Sequence, residues 1–387
     1  MAHIRSTKSE VEKLFFTLRL NVLTPDQVRQ TIEKVKVFRQ KRAGSQQVGS
    51  NPKPGDVYQS FVSEKMQSGE WKLKTKQETQ TCMNLFLEII GDKPVAYTHS
   101  DLLHFRECLL KLPPAFQKNP QIRCWTIKEI LEKPWQKTLS LSRVNRILNG
   151  IISFFTWSVK HQIIKESPCL GIRFSKGRVQ KSEKPRNPFL PEELRVLLAQ
   201  PEFVDPGEVA RHPERMWVPL IALHSGMRLN EVCQLYADDL RQIDGVMVFD
   251  VRVGRPDQSL KTESSTRQVP VHPDLLRVGF ENYLAKVKSE GHERLFPMFR
   301  KGIDGYGHSV RNWFMKLMKR IVISRCFHEL RHSFAFYLKQ AGVDESNISE
   351  LLGHSRMSVT SRYTHQMTNQ RKLEILSLLK FPIEGTT

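Results

Sequence analysis

The sequence predicts a mainly α-helical chain with one small antiparallel β-sheet in its C-terminal part, an α+β arrangement. Three observations carry that reading. Apolar residues recur at spacings of three and four over most of the chain, as in Val144, Ile147, Leu148, Ile151, Ile152, Phe155 and Val159; that is the period of a helix with one buried face. The period changes to two over Val246, Val248, Asp250 and Arg252, and a short extended run follows at Gln268–Val271, as expected of strands. Stretches rich in Gly, Pro and polar residues (44–55) or in basic residues (172–187) divide the chain as linkers do. At 387 residues the parts are long enough to bury cores of their own.

Taken in order, residues 1–43 form an N-terminal helical arm. Thr24-Pro25-Asp26-Gln27 reads as a helix start, and Val28, Ile32, Val35 and Phe38 share one face of an otherwise basic segment. It either touches a polyanion or a neighbouring subunit, or packs on its own domain. After the linker, residues 56–171 form a helical domain. Val57, Phe61 and Met66 mark its first helix, Lys72 to Ile90 its second, and His99-Ser100-Asp101 caps a third that Pro113-Pro114 ends. Ser142 starts a long helix whose apolar stripe excludes Trp157. Residues 172–187 are a basic connector with Arg173, Lys176, Arg178, Lys181, Lys184 and Arg186 against one acid. Residues 188–371 form the last domain: a helix at Leu194–Leu198, an apolar helix from Trp217 to His224, the small sheet with a polar, mobile stretch from Gly254 to Arg267, and helices around Leu275–Val287 and Val310–Ile321. Residues 372–387 are a tail helix carrying Leu373, Ile375, Leu376, Leu378 and Leu379, which needs a partner surface.

Composition narrows the function. Lys and Arg number 60 against 40 Asp and Glu, a net charge of +20, which favours a polyanion, DNA or RNA foremost. No apolar run approaches the roughly 18 residues that span a bilayer, and the N-terminus lacks the apolar core of a secretory signal; a cytosolic protein is expected. The six cysteines form no C-x-x-C pair and the histidines no H-E-x-x-H, so the sequence predicts no structural metal and no cofactor.

The chemistry concentrates between Phe327 and His365. His328 and Arg331 are three apart on one helix face, with His332 beside them. His354 follows the helix stop Gly353, and Tyr363 lies nine residues on. A tyrosine among basic groups points to phosphate chemistry, since a phenolate can attack a phosphodiester and form a covalent ester. The phosphorane-like transition state gathers negative charge, which arginine and histidine stabilise. A second arginine stands upstream in Ser225-Gly226-Met227-Arg228-Leu229-Asn230-Glu231-Val232, where Glu231 can reach back to Arg228.

These pieces resemble the tyrosine recombinases, the phage integrase family: H-S-G-M-R-L-N-E-V around Arg228, L-K-T-E-S-S-T-R-Q-V-P around Lys261, H-E-L-R-H around His328, and L-G-H through R-Y-T-H ending at Tyr363. The resemblance spans Asn187 to Arg371 and is loose over the preceding hundred residues. It implies that the helical domain is a core-binding domain and that it forms a C-shaped DNA clamp with the catalytic domain. Arg228, Lys261, His328, Arg331, His354 and Tyr363 are then the catalytic set, with Glu231 and His332 in support. The six basic residues of the connector would meet phosphates. No metal or nucleotide is needed. The partners implied are double-stranded attachment-site DNA, a homotetramer on two sites, and accessory DNA-bending or directionality proteins, with no membrane. The setting implied is a prokaryotic, nucleoid-associated enzyme that integrates or excises a mobile element. In relatives the tail helix docks into the next protomer; packing on its own subunit is the other reading. A type IB topoisomerase shares the chemistry but reseals the same strand, and an inactive relative would bind DNA without forming an adduct.

Overall fold

The computed structural model describes residues 54–93, 97–182, 187–354 and 367–383. The predicted arm at 1–43, the side chain of Lys181, and Lys184, Arg186 and Tyr363 lie outside the described residues. The chain divides into two compact units, one ending at Ser182 and the other beginning at Glu183.

The first unit is helical, with α1 (Pro54–Gln67), α2 (Leu73–Ile90), α3 (His99–Lys111), α4 (Ile127–Leu131), α5 (Leu141–Lys160) and α6 (Lys176–Ser182). Its caps explain its boundaries. Thr98, rather than the predicted His99 to Asp101 stretch, caps α3, and Asp101 reaches back to the Thr98 amide at 2.8 Å. Ser140 caps α5 two residues ahead of the predicted start. Phe61, Phe86, Phe105, Phe154 and Phe155 are fully buried, and each stabilises the unit by roughly 1.5–3 kcal/mol relative to an exposed ring. Phe86 meets Phe105 edge to face at 5.1 Å. Trp157 departs from the expected stripe: it is buried, its ring lies 5.5 Å from that of Phe61, and its Nε1–H donates to Glu64 at 3.0 Å. α1 packs on that side of α5, so α5 is covered on more than one face.

The predicted connector is partly structured. Ile172 is fully buried, and the guanidiniums of Arg106 and Arg178 stand over the Phe174 ring, 5.4 and 4.9 Å from its centroid. Residues 176–182 are α6 rather than an irregular linker. Two apolar residues, Ile172 and Phe174, carry this docking, and the surrounding positive charge masks them in the sequence.

The second unit contains α7 (Pro191–Leu198), α8 (Pro201–Val204), α9 (Pro206–Arg211), α10 (Pro213–Ser225), α11 (Leu229–Cys233), β1 (Leu240–Ile243), β2 (Val246–Val251), β3 (Arg267–Pro270), α12 (Pro273–Arg277), α13 (Phe280–Ser289), α14 (His308–Arg320), α15 (His328–Gln340), α16 (Glu345–Leu352) and α17 (Asn369–Leu376). The sheet has the order β1-β2-β3, antiparallel throughout, with Leu240 opposite Phe249 and Val251 opposite Arg267. The sequence reading missed β1. Asp244 and Gly245, both at positive φ, turn β1 into β2; Asp-Gly is a strong hairpin signal. The helix predicted over Leu275–Val287 is two helices, broken at Gly279 with φ 94°. The stretch from Gly254 to Arg267, read as mobile, is anchored: Gln258 is buried and donates to Asp239 at 2.8 Å, and Arg267 is buried.

The tail packs on its own subunit. Ile375, Leu376, Leu379 and Phe381 join the core of the second unit, and α17 lies against β2 and β3. His272 Nε2–H donates to the Leu376 carbonyl at 2.9 Å. His224 is fully buried beneath Phe381, with ring centroids 5.0 Å apart, and its Nδ1–H donates to Leu220 at 2.8 Å. Burial first, then neighbouring His272, pulls His224 from 6.5 down to about 3, against the opposing pull of Asp274. The folded value lies below the unfolded one, so this stability is present above pH 6.5 and lost as pH falls toward 3. We expect the second unit to lose about 2 kcal/mol between pH 7 and pH 5, where carboxylates titrate little. Amide exchange in α17 reads it. His224→Leu should reduce the slope to the share left by His272, whose burial also holds it below 6.5; equal protection at both pH values in the unaltered chain would contradict the assignment.

Candidate active site

The site is built where α10, α11, β3, α15 and α16 meet. α10 ends at Gly226, at φ 64°. A Cβ there would come within 2.7 Å of Phe334 and Leu352, so only glycine lets this backbone press onto α15 and α16. That approach places the Gly226 carbonyl 2.6 Å from Arg331 Nη1. Arg331 Nη2 donates to the Leu352 carbonyl at 2.8 Å and to His354 Nε2 at 3.0 Å. Arg331 is therefore buried on fixed acceptors, and His354 is held just past the end of α16.

Arg228 precedes α11. Its Nη1 donates to Glu231 at 2.5 Å and to Ser265 Oγ at 3.1 Å, while Glu231 also accepts from the Arg228 amide at 3.0 Å. Glu231 is buried and takes a second guanidinium, that of Arg267, at 3.0 Å. Arg267 completes its bonds on the carbonyls of Leu351 and Ser265, at 2.7 and 2.8 Å. Two guanidiniums thus share one carboxylate and a third, that of Arg331, stands near enough to feel all three charges, so these four groups carry an excess of two positive charges.

The electrostatics follow from that crowding. Burial first, then Arg228 and Arg267, push Arg331 down to about 9, so it stays charged at neutral pH. Burial would raise the Glu231 carboxyl, but Arg267 and Arg228 together hold it below 4.5. Burial and then the charges of Arg331, Arg228 and Arg267 hold His354 below 6.5. A neutral His354 that accepts at Nε2 carries its proton on Nδ1.

Of the residues singled out in the sequence, direct hydrogen bonds join Arg228 to Glu231 and Arg331 to His354. His328 opens α15 one turn before Arg331; it is exposed, and its ring stands edge-on to that of His332 at 4.9 Å. Lys261 is exposed, and its chain neighbour Thr262 lies against the cluster. Thr262 Oγ1 lies 3.0 Å from Ser265 Oγ, which accepts from Arg228. Arg173 is exposed near Asn149, and Lys176 and Arg178 lie exposed on α6.

Sequence reasoning missed Arg267 and Ser265. The signal was present: Arg267, Val269 and Val271 have the two-residue period of one strand face, so an inward Val269 implies an inward Arg267. His224, His272 and Asp274 bring three ligand-type atoms within 4.8 Å of one another. Their separation of about 50 positions hides them from any local metal motif.

Comparison with known proteins identifies the family. The phage integrase family model matches residues 209–370. The chain is 31% identical to tyrosine recombinase XerC of Myxococcus xanthus over 233 residues, covering 58% of this chain and 71% of that one. It is 29% identical to tyrosine recombinase XerA of Pyrococcus horikoshii over 194 residues, covering 50% of this chain and 64% of that one. Its fold is similar to a lambda integrase tetramer bound to a Holliday junction, with a TM-score of 0.54 at 16% identity, covering 86% of this chain and 88% of that one. The helical content, the small antiparallel sheet and these matches agree: the chain belongs to the phage integrase family, the tyrosine recombinases, which are site-specific DNA recombinase enzymes.

Proposed function

We propose that the chain cuts and rejoins DNA through a 3′-phosphotyrosyl intermediate on Tyr363. The phenol oxygen attacks the scissile phosphorus, the bond to the 5′-oxygen breaks, and His328 takes the phenol proton. Lys261 protonates the departing 5′-oxygen. Arg228 and Arg331 hold the non-bridging oxygens, for which planar guanidinium forks suit better than ammonium groups. His354 donates from Nδ1–H to the phosphate, and Glu231, with Arg267, keeps Arg228 in place. The 5′-hydroxyl of a second DNA then attacks the phosphotyrosine, so the bond energy is conserved and strands are exchanged. Arg173, Lys176 and Arg178, with Lys181, Lys184 and Arg186, supply phosphate contacts that position the duplex.

The observation that carries this reading is the convergence of Arg228, Arg331 and His354, from three separate segments, on one surface with two unneutralised positive charges. The lambda integrase relative, by its name and its tetramer on a junction, supports integration or excision of a mobile element by four protomers on two sites. Accessory DNA-bending proteins belong to the same reading. The test starts from a randomised library of nicked suicide duplexes. Members captured as detergent-resistant adducts define the site, and plasmids bearing two copies are then assayed. Exchange between copies supports the proposal. Relaxation of supercoils without exchange would make the chain a topoisomerase, and binding without adducts would make it an inactive relative.

A further inference from the structure

Asp257 lies four residues before Lys261, in the stretch joining β2 to β3. Its carboxylate accepts from three groups of the second unit. Tyr236 Oη donates at 2.8 Å, Tyr306 Oη donates at 2.7 Å, and Arg294 Nη2 donates to the same oxygen as Tyr306. Arg294 is itself held between the two tyrosine rings, with its guanidinium 4.4 Å from the Tyr236 centroid and 4.1 Å from that of Tyr306. Tyr306 is tied in turn to α11, beside Arg228: its amide donates to Asn230 Oδ1 at 2.7 Å. Next to Asp257, buried Gln258 donates to the Gln234 carbonyl at 3.3 Å, and the Ser259 amide donates to Gln234 Oε1 at 3.0 Å.

The chain is therefore fastened on both sides of Lys261. Before it stand Asp257, Gln258 and Ser259; after it stand Ser265 and Arg267, on Arg228 and Glu231. Lys261 rides exposed between the two anchors. A solvated surface loop would need no such cage, because polar side chains in water satisfy themselves. A charge-assisted bond shared among two phenols and a guanidinium makes a stiff point of attachment.

We propose that Asp257 is a positioning residue: held by the Tyr236–Arg294–Tyr306 cage, it sets where Lys261 meets the 5′-oxygen that leaves during cleavage. This rests on the reading of Lys261 as the leaving-group acid. The step balances as before. The phenol oxygen–phosphorus bond forms, the phosphorus–5′-oxygen bond breaks, and the Lys261 ammonium gives its proton to that oxygen.

The experiment uses the full chain on a captured suicide duplex, in an ordinary form and in one with sulfur replacing the bridging 5′-oxygen. A thiolate leaves without a proton, so the sulfur substrate does not need the acid. Asp257→Asn should slow cleavage of ordinary DNA by about ten- to a hundredfold, the size of effect expected when a reacting group is misplaced. It should leave cleavage of the sulfur substrate near that of the unaltered protein. Equal slowing on both substrates, or on neither, overturns the proposal. Lys261→Ala is run beside it. If Lys261→Ala separates the two substrates and Asp257→Asn does not, only the positioning role falls. If Lys261→Ala does not separate them, the acid assignment falls and takes this inference with it. Should Asp257→Asn fail to fold, Tyr306→Phe keeps the ring over Arg294, removes one bond to Asp257, and carries the same comparison.

Discussion

Tyr363→Phe binds its DNA site with unchanged affinity and forms no covalent adduct. The phenol is the proposed nucleophile, and removing a nucleophile costs on the order of 10⁶-fold where an enzyme depends on it. Binding instead comes from many lysines and arginines that displace counterions, none of which this change touches. Gel shifts over a range of salt should give the same slope for both proteins. Detergent gels should show the adduct only for the unaltered chain. An adduct in the phenylalanine variant would transfer the nucleophile to another residue and undo the mechanism.

Glu231→Gln destabilises the second unit by on the order of 3–5 kcal/mol, the loss expected when a buried ion network is left with uncompensated charge. Arg228 and Arg267 lose their shared carboxylate and remain crowded beside Arg331. The change is followed by exchange of amides in α10 and β3, because a chain of two units need not unfold in one step. The double variant Glu231→Gln, Arg267→Met should lose less than the sum of its parts, since one guanidinium then leaves with its partner. The acid sensitivity has a definite sign. The folded Glu231 carboxyl titrates below 4.5, so its stabilisation is present above that value and is lost as pH falls through the lower one. In Glu231→Gln that part of the acid response should vanish. A loss under about 1 kcal/mol, the scale of exposed pairs, would mean that the network does little.

The legible part of the site was the part written in helical spacing. His328 and Arg331 are three apart, Arg228 and Glu231 are three apart, and His354 follows a glycine stop. Each relation lies within a turn or a cap, so local rules expose it. The hidden part depends on contacts between distant segments. Arg267 reads as one more surface charge until β3 is paired with β2, and only then does its side chain face Glu231. His224 and His272 become a buried pair only once α17 covers them. The tail illustrates the same limit: its apolar face asked for a partner, and the sequence could not say that β2 and β3 of the same subunit supply it. The helix at residues 176–182 was hidden for another reason. The charge of residues 172–182 outweighed Ile172 and Phe174, which pack on the first unit, so a composition-based reading did not show that the stretch contains a helix.

The account depends most on Tyr363 being the residue that bonds to DNA. Protease digestion of the trapped adduct, followed by mass spectrometry, locates the nucleotide directly. The account predicts a phosphate-linked fragment on Tyr363, joined to a DNA 3′ end, with a free 5′-hydroxyl on the released strand. An unmodified Tyr363 in a cleaved complex, or linkage to a 5′ end, would contradict it.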